Sequence, residues 1–260
     1  MVKTPTEMAE KEVNKSLGKS IAKRQLEIKK HQAAIKKLEK EIKKIKSGEL
    51  VPEEANSSVF SDDTIVAYLL DESGSMWGCR KDTISAFNNY VKELQKKSNV
   101  FLTLTKFNSD KVEVVYTNKN VSEISPLTAQ DYHPNNCTPL YDAIGKTVAS
   151  ISRQLDKKVL KPKVLFVVMT DGFENTSQEF TLDAVKGLIK QKESEDWSFL
   201  YMGADQDAWL SSESMGFAKG NTLSFASADI NKTMSVAGGM TAKYAMSKKR
   251  KTNCFFVGVK

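Results

Sequence analysis

The stretch AYLLDESGSMWG, residues 67–78, carries an apolar run straight into Asp71 and then sets Ser73 and Ser75 behind it at two-residue spacing. A strand that ends on a carboxylate, with two hydroxyls on the following turn, has three readings. It is a site for a hard cation, a nucleophile, or a capped polar turn. The remainder of the chain decides among them.

Downstream of this stretch, apolar and β-branched runs alternate with helical patterns. The runs lie at Thr64–Leu70, Val100–Phe107, Val164–Met169 and Phe199–Met202, and the helical patterns at about 80–97, 139–155, 181–195 and 205–216. Lys111–Tyr116 follows its neighbour after the turn residues NSD, which predicts a hairpin and an antiparallel edge strand. Continuous apolar strands alternating with helices predict an α/β fold: a doubly wound, mostly parallel sheet covered on both faces. Ligands of such sheets sit beyond the carboxyl ends of the strands. Asp71 ends the first strand, and in VLFVVMTDGFEN (164–175) Asp171 ends another in the same way. In NNCTPLYDAIG (135–145), Thr138 precedes Pro139 at a helix start, where its hydroxyl is available.

Asp71, Ser73, Ser75, Thr138 and Asp171 together supply two carboxylates and three hydroxyls, with no His and no Cys. Hard oxygen donors carrying two charges suit Mg²⁺ or Mn²⁺ and disfavour zinc or copper. The set is too small to enclose a six-coordinate ion, so water or an outside ligand completes the shell. With two negative charges against +2, an incoming carboxylate from a protein partner is electrostatically welcome.

These three motifs resemble the von Willebrand factor type A family and its metal-ion-dependent adhesion site, in which an Asp-x-Ser-x-Ser turn is followed by a Thr and then an Asp. The resemblance runs from about Ser61 to 217 and on to about 247. It implies a Rossmann-like fold and a protein-binding role through a metal-bound carboxylate. It also implies that Ser73 and Ser75 ligate directly, that Thr138 or Asp171 alternates in the shell, and that Asp71 acts largely through water. The family often has glycine before its Thr, where this chain has Asn136 and Cys137. The segment WSFLYMGADQDA (197–208) is similar to small bacterial and phage proteins of the same family. Trp77, two residues past Ser75, is either an anchor for the partner on the rim of the site or a side chain packed under the loop. Trp197 and Trp209 are expected in the core. KKRK (248–251) reads as a solvated helix end and NCFFVGV (253–259) as a final strand.

Enzyme readings find little support. Haloacid-dehalogenase-type phosphatases need a second Asp two residues after the first, and Ser73 occupies that place. ESGSM is not a GxSxG elbow, and neither His31 nor His133 is placed to activate a serine. No GxxxxGK[ST] phosphate loop occurs.

The net charge of +7 suggests nucleic acid until it is located. Residues 1–50 hold fourteen Lys and Arg against seven Glu, which is the whole excess; the remainder is balanced. That basic arm, residues 1–46, reads as a helix. Ile21, Ile28, Ile35 and Ile42 repeat every seven residues, with Leu17, Leu38 and Ile45 at the complementary position, an a/d seam of about four heptads. Arg24 and His31 interrupt its d positions, and Glu41 and Lys46 sit where parallel strands would pair g with e′. The arm is thus a short coiled coil that makes the chain a homo-oligomer, an amphipathic helix that lies on its own domain or frays in solvent, or a lysine-rich scaffold for nucleic acid. A Gly-, Pro- and Ser-containing linker (47–60) leads into a domain spanning 61–260. Three widely spaced cysteines without a CxxC pair, and no apolar run near the roughly 18 residues of a membrane span, point to a cytoplasmic protein.

Overall fold

The computed structural model describes residues 5–46, 60–156, 158, 160–204, 208–225 and 230–256. It divides into two compact units, residues 1–60 with 159–161, and residues 61–158 with 162–260.

Most of the described residues of the first unit form one long helix, α1 (Pro5–Lys46). On it Ile21, Ile28 and Ile35 are exposed, as are Arg24 and His31 in the same stripe. The side chains of Leu17, Ile42 and Ile45, and the linker up to residue 59, lie outside the described residues.

The second unit runs β1 (Phe60–Asp71), α2 (Arg80–Leu94), β2 (Val100–Phe107), β3 (Val112–Asn120), α3 (Leu140–Asp156), β4 (Lys161–Thr170), α4 (Leu182–Ser194), β5 (Ser198–Ala204), α5 (Ala208–Ser214), β6 (Thr222–Phe225) and α6 (Ile230–Met246). Among the described residues these strands form one six-stranded sheet in the order β3-β2-β1-β4-β5-β6. β2 runs parallel to β1, with Asp71 opposite Phe107, and β5 lies parallel between β4 and β6. Only β3 is antiparallel, against β2 at the sheet edge. The expected architecture is the observed one.

Burial on both faces explains why the strands read as unbroken apolar runs. Val66, Tyr68 and Leu70 of β1 point to one side, where they pack with Phe87 and Tyr90 of α2 and Met234 and Ala237 of α6. Ile65, Ala67 and Leu69 point to the other, against Ile144 and Val148 of α3, Val185 of α4 and Phe217. At the crowded α2–α6 contact Gly238 is required, because a methyl group there would lie 2.8 Å from the Tyr90 carbonyl oxygen. Lys163 is buried and donates to the carbonyls of Tyr244, Ala245 and Ser247, closing the C-terminal end of α6.

Three expectations are corrected. NCFFVGV is not a strand over its described part, 253–256. Phe255 and Phe256 are buried in a turn held by Phe256 N–H to Gly220 O and Phe255 N–H to Asn221 Oδ1. KKRK follows the end of α6 rather than continuing it, with Arg250 donating to Pro162 O and Lys251 pairing with Glu193. Trp197 is core, but Trp209 is 38% exposed, because α5 turns it away from the sheet. Among the described residues no helix is long and apolar enough to cross a membrane.

Candidate functional site

β1 and β4 are neighbours in the sheet, and the chain departs from them toward opposite edges. This is the switch point at which a doubly wound sheet opens a crevice. Asp71 and Thr170 end these two strands. Asp71 is fully buried. Its Oδ1 accepts the Ser73 N–H at 2.7 Å and its Oδ2 the Thr170 hydroxyl at 2.5 Å. Burial pushes the Asp71 carboxyl up to about 6, with the Thr170 and Ser73 hydrogen bonds pulling the other way. A carboxylate so placed gains from a cation near it.

After Ser73 the chain makes one tight 3₁₀ turn, Gly74–Trp77. It brings Ser73 Oγ to 3.1 Å from Ser75 Oγ, and Ser75 Oγ donates to Asp171 Oδ1 at 2.6 Å. Three site residues from two strand ends are thus in direct succession. Thr138 arrives on a separate loop. Its N–H donates to Asn175 Oδ1 at 2.8 Å, and Asn175 N–H returns a bond to the Thr138 carbonyl. A methyl group built on Gly172 would lie 3.0 Å from Thr138 Oγ1 and 3.3 Å from Ser75 Oγ. The Thr138 and Ser75 hydroxyls therefore converge over the one residue that leaves them space.

The loop before Thr138 depends on Asn136, whose φ of 61° is left-handed. Asn tolerates that region better than other non-glycine residues, so the turn is made without a glycine. The Asn136 carbonyl accepts the Gly74 N–H at 2.8 Å, joining this loop to the serine turn.

Sequence reading missed the residues that hold these loops. Glu72, the spacer between Asp71 and Ser73, is buried and accepts from Lys106 Nζ at 3.1 Å and from His133 N–H at 2.7 Å. Lys106 also donates to Asp131 O at 2.6 Å. A lysine inside the apolar run VFLTLTKF was the available signal, because a buried ammonium needs a carboxylate. Tyr132 donates its hydroxyl to the Asp71 carbonyl at 2.5 Å, and Arg80 Nε fixes Tyr132 O at 2.8 Å.

Asp71, Ser73 and Thr138 are buried, Asp171 is half-buried and Ser75 is exposed, so the cluster opens outward. Trp77 is 62% exposed with the Arg80 guanidinium 5.3 Å from its ring, which excludes packing beneath the loop. Phe173, two residues past Asp171, is exposed beside it. Among the described residues no three His, Cys, Asp or Glu side chains are grouped to hold a metal ion. The donors here are mainly hydroxyls: Ser73 Oγ, Ser75 Oγ and Thr138 Oγ1 with the two aspartates are the oxygens that could hold a hard cation.

No family model and no curated protein sequence matches the chain. Solved structures do. The vWF domain of the type V pili tip protein Mfa5 from Porphyromonas gingivalis is 10% identical, with a TM-score of 0.55 over 74% of this chain and 98% of that one. The pilus adhesin SpaC from Lactobacillus rhamnosus GG, in an open conformation, is 12% identical with a TM-score of 0.54, over 71% of this chain and 30% of that one. Only that part of SpaC is matched. At such identity the likeness is one of fold, and the sheet and helices of this chain have the build of a von Willebrand factor type A-like domain.

Proposed function

We propose that the chain is a protein-interaction module that holds one divalent cation, Mg²⁺ or Mn²⁺, in a metal-ion-dependent adhesion site and through it binds a carboxylate of a partner protein. The observation that carries this reading is the succession Ser73 Oγ, Ser75 Oγ, Asp171 Oδ1 at 3.1 and 2.6 Å on an outward-facing edge. Neighbouring ligand oxygens of an octahedral ion at 2.0–2.1 Å stand roughly 3 Å apart, so these oxygens already fit. Ser73, Ser75 and one of Thr138 or Asp171 would hold the ion. Asp71, engaged by Thr170 and the Ser73 N–H, supplies charge from behind. A bound cation supplies the positive centre that attracts the partner's carboxylate. The pilus proteins of similar fold are consistent with an adhesive role. We read the chain as a binder rather than an enzyme. The exposed isoleucine seam of α1 would make that binding multivalent.

Isothermal titration of the full chain with MgCl₂ and MnCl₂ tests the site. Saturable binding to one site, lost in Ser73→Ala and in Asp71→Ala, is expected. Equal binding by both variants and the parent would refute it. Titration with duplex DNA tests the lysine-rich arm. Tight binding that falls steeply with salt and ignores Mg²⁺ would move the function to α1.

A further inference from the structure

Beside the cation site, on the far side of Gly172, lies a cleft of about 270 Å³. Leu140 and Tyr141 of α3, Phe173, Tyr201 of β5, and Leu210 and Met215 form most of its lining. Among the described residues of 61–256, three of the four most exposed large apolar side chains border this end of the sheet: Leu210 at 68%, Trp77 at 62% and Phe173 at 58%. Bulky apolar side chains left in water around a charged site mark a surface that another protein covers. The cleft is smaller than the roughly 300–1,000 Å³ pockets that enclose a free drug-sized molecule. It suits a single side chain.

The cleft is also polar, with Ser211 and Ser214 beside Glu174 and the two tyrosines; the Ser214 hydroxyl donates to Ser211 O, and among the described residues Glu174 is its one charged group. Glu174 lines it, but its carboxylate is engaged. Oε1 accepts the N–H groups of Thr176 and Ser177, and Oε2 accepts the Tyr141 N–H and the Ser177 hydroxyl. An acidic side chain entering beside Glu174 would be repelled, whereas an apolar one would displace water from aromatic walls. Gly172 belongs to both places, lining the cleft while its Cα faces the Thr138 and Ser75 hydroxyls. A chain lying across this edge therefore meets the ion and the cleft within about one to three residues, given about 3.3 Å per extended residue.

We infer that this cleft is a specificity pocket for the same partner: it takes a Phe, Tyr, Trp, Leu or Met side chain one to three residues from the carboxylate that reaches the cation. The inference rests on the cation-dependent reading above.

Random heptapeptides displayed on phage, panned on the immobilised full chain in Mg²⁺ and eluted with EDTA, test it. The eluted pool is expected to carry Asp or Glu with a bulky apolar residue at one fixed offset. A synthetic peptide of that pattern should bind Leu210→Asp and Phe173→Ala at least tenfold more weakly. Both altered side chains are solvent-exposed, so folding and the Mg²⁺ affinity of the chain alone should not move. An eluted pool enriched in acids with no apolar preference overturns the pocket and leaves the cation reading standing. Unchanged peptide affinity in both variants does the same. A pool that EDTA does not elute overturns both. Self-association of the chain that Leu210→Asp abolishes assigns the cleft to a second copy and overturns the pocket as well.

Discussion

The hydroxyl of Thr170 donates to Asp71 Oδ2 at 2.5 Å and thereby ties the ends of two adjacent strands at the floor of the site. The bond is buried, so its loss is not made good by water. Thr170→Val keeps the shape and removes the donor. We expect it to destabilise the domain by about 1–3 kcal/mol and to weaken Mg²⁺ binding about tenfold, roughly 1.4 kcal/mol. Thr170→Ser should restore both. Thermal unfolding and calorimetric titration measure them, and a Thr170→Val chain with parental Mg²⁺ affinity would show that Asp71 needs no such anchor.

Gly238 on α6 faces Tyr90 of α2, where an added methyl group would stand 2.8 Å from a backbone oxygen that cannot rotate away. Gly238→Ala must push the helices apart, against the better helix propensity of alanine. We expect a net destabilisation of about 1–2 kcal/mol with Mg²⁺ affinity retained, since the contact is remote from the site. Gly239, which has no atom within 4 Å of an added methyl group, is the control. Its alanine variant should be neutral or more stable, and equal melting of the two variants would contradict the packing account.

The convergence of Asp71, Ser73, Ser75 and Asp171 was legible because strand ends are legible. An apolar run that stops on Asp71 or Asp171 places that residue at the sheet edge whatever the loops do. Their supports were not, because Tyr132, Asn175 and Glu72 act through loop contacts that no local periodicity records. β6 and α6 were missed for a different reason. TLSF is only four residues long, and INKTMSVAGGMTAKYAM carries two glycines and three threonine or serine residues before its last turn, a poor helix former by itself. Packing on α2 and the Lys163 cap complete it. Phe255 and Phe256 show the converse error, since their apolar character reported burial and said nothing about extended structure.

Asn136 holds φ at 61° in the loop that presents Thr138, and its side-chain amide donates to Asp110 Oδ2. Conformation and side chain can be separated by substitution. Asn136→Gly keeps the left-handed backbone and should retain Mg²⁺ binding to within about threefold. Asn136→Val forces a β-branched residue into that region and should destabilise the loop by about 1–3 kcal/mol, with Mg²⁺ affinity falling. The two affinities, compared by titration, decide it. A valine variant that binds as well as the glycine variant would mean that the loop does not depend on this conformation.

Ile21, Ile28 and Ile35 stand exposed at seven-residue spacing along α1, a stripe that water disfavours. Burying one such side chain contributes about 1.5–3 kcal/mol, so a partner helix bearing the same stripe gains enough from three of them to associate. Arg24 and His31 interrupt the stripe and set an upper limit on its strength. One carboxylate on one ion is a small contact, and joining copies of the domain through α1 would raise the effective concentration of every later contact. We therefore expect the full chain to be an oligomer at tens of micromolar, and Ile28→Asp with Ile35→Asp to reduce it to the 29.0 kDa monomer without loss of Mg²⁺ binding. Multi-angle light scattering reads the mass directly. On a surface coated with the EDTA-eluted peptide, the oligomer should dissociate at least tenfold more slowly than the double variant, while both bind the free peptide equally. A full chain that scatters as a monomer would end the multivalent reading and leave the metal site untouched.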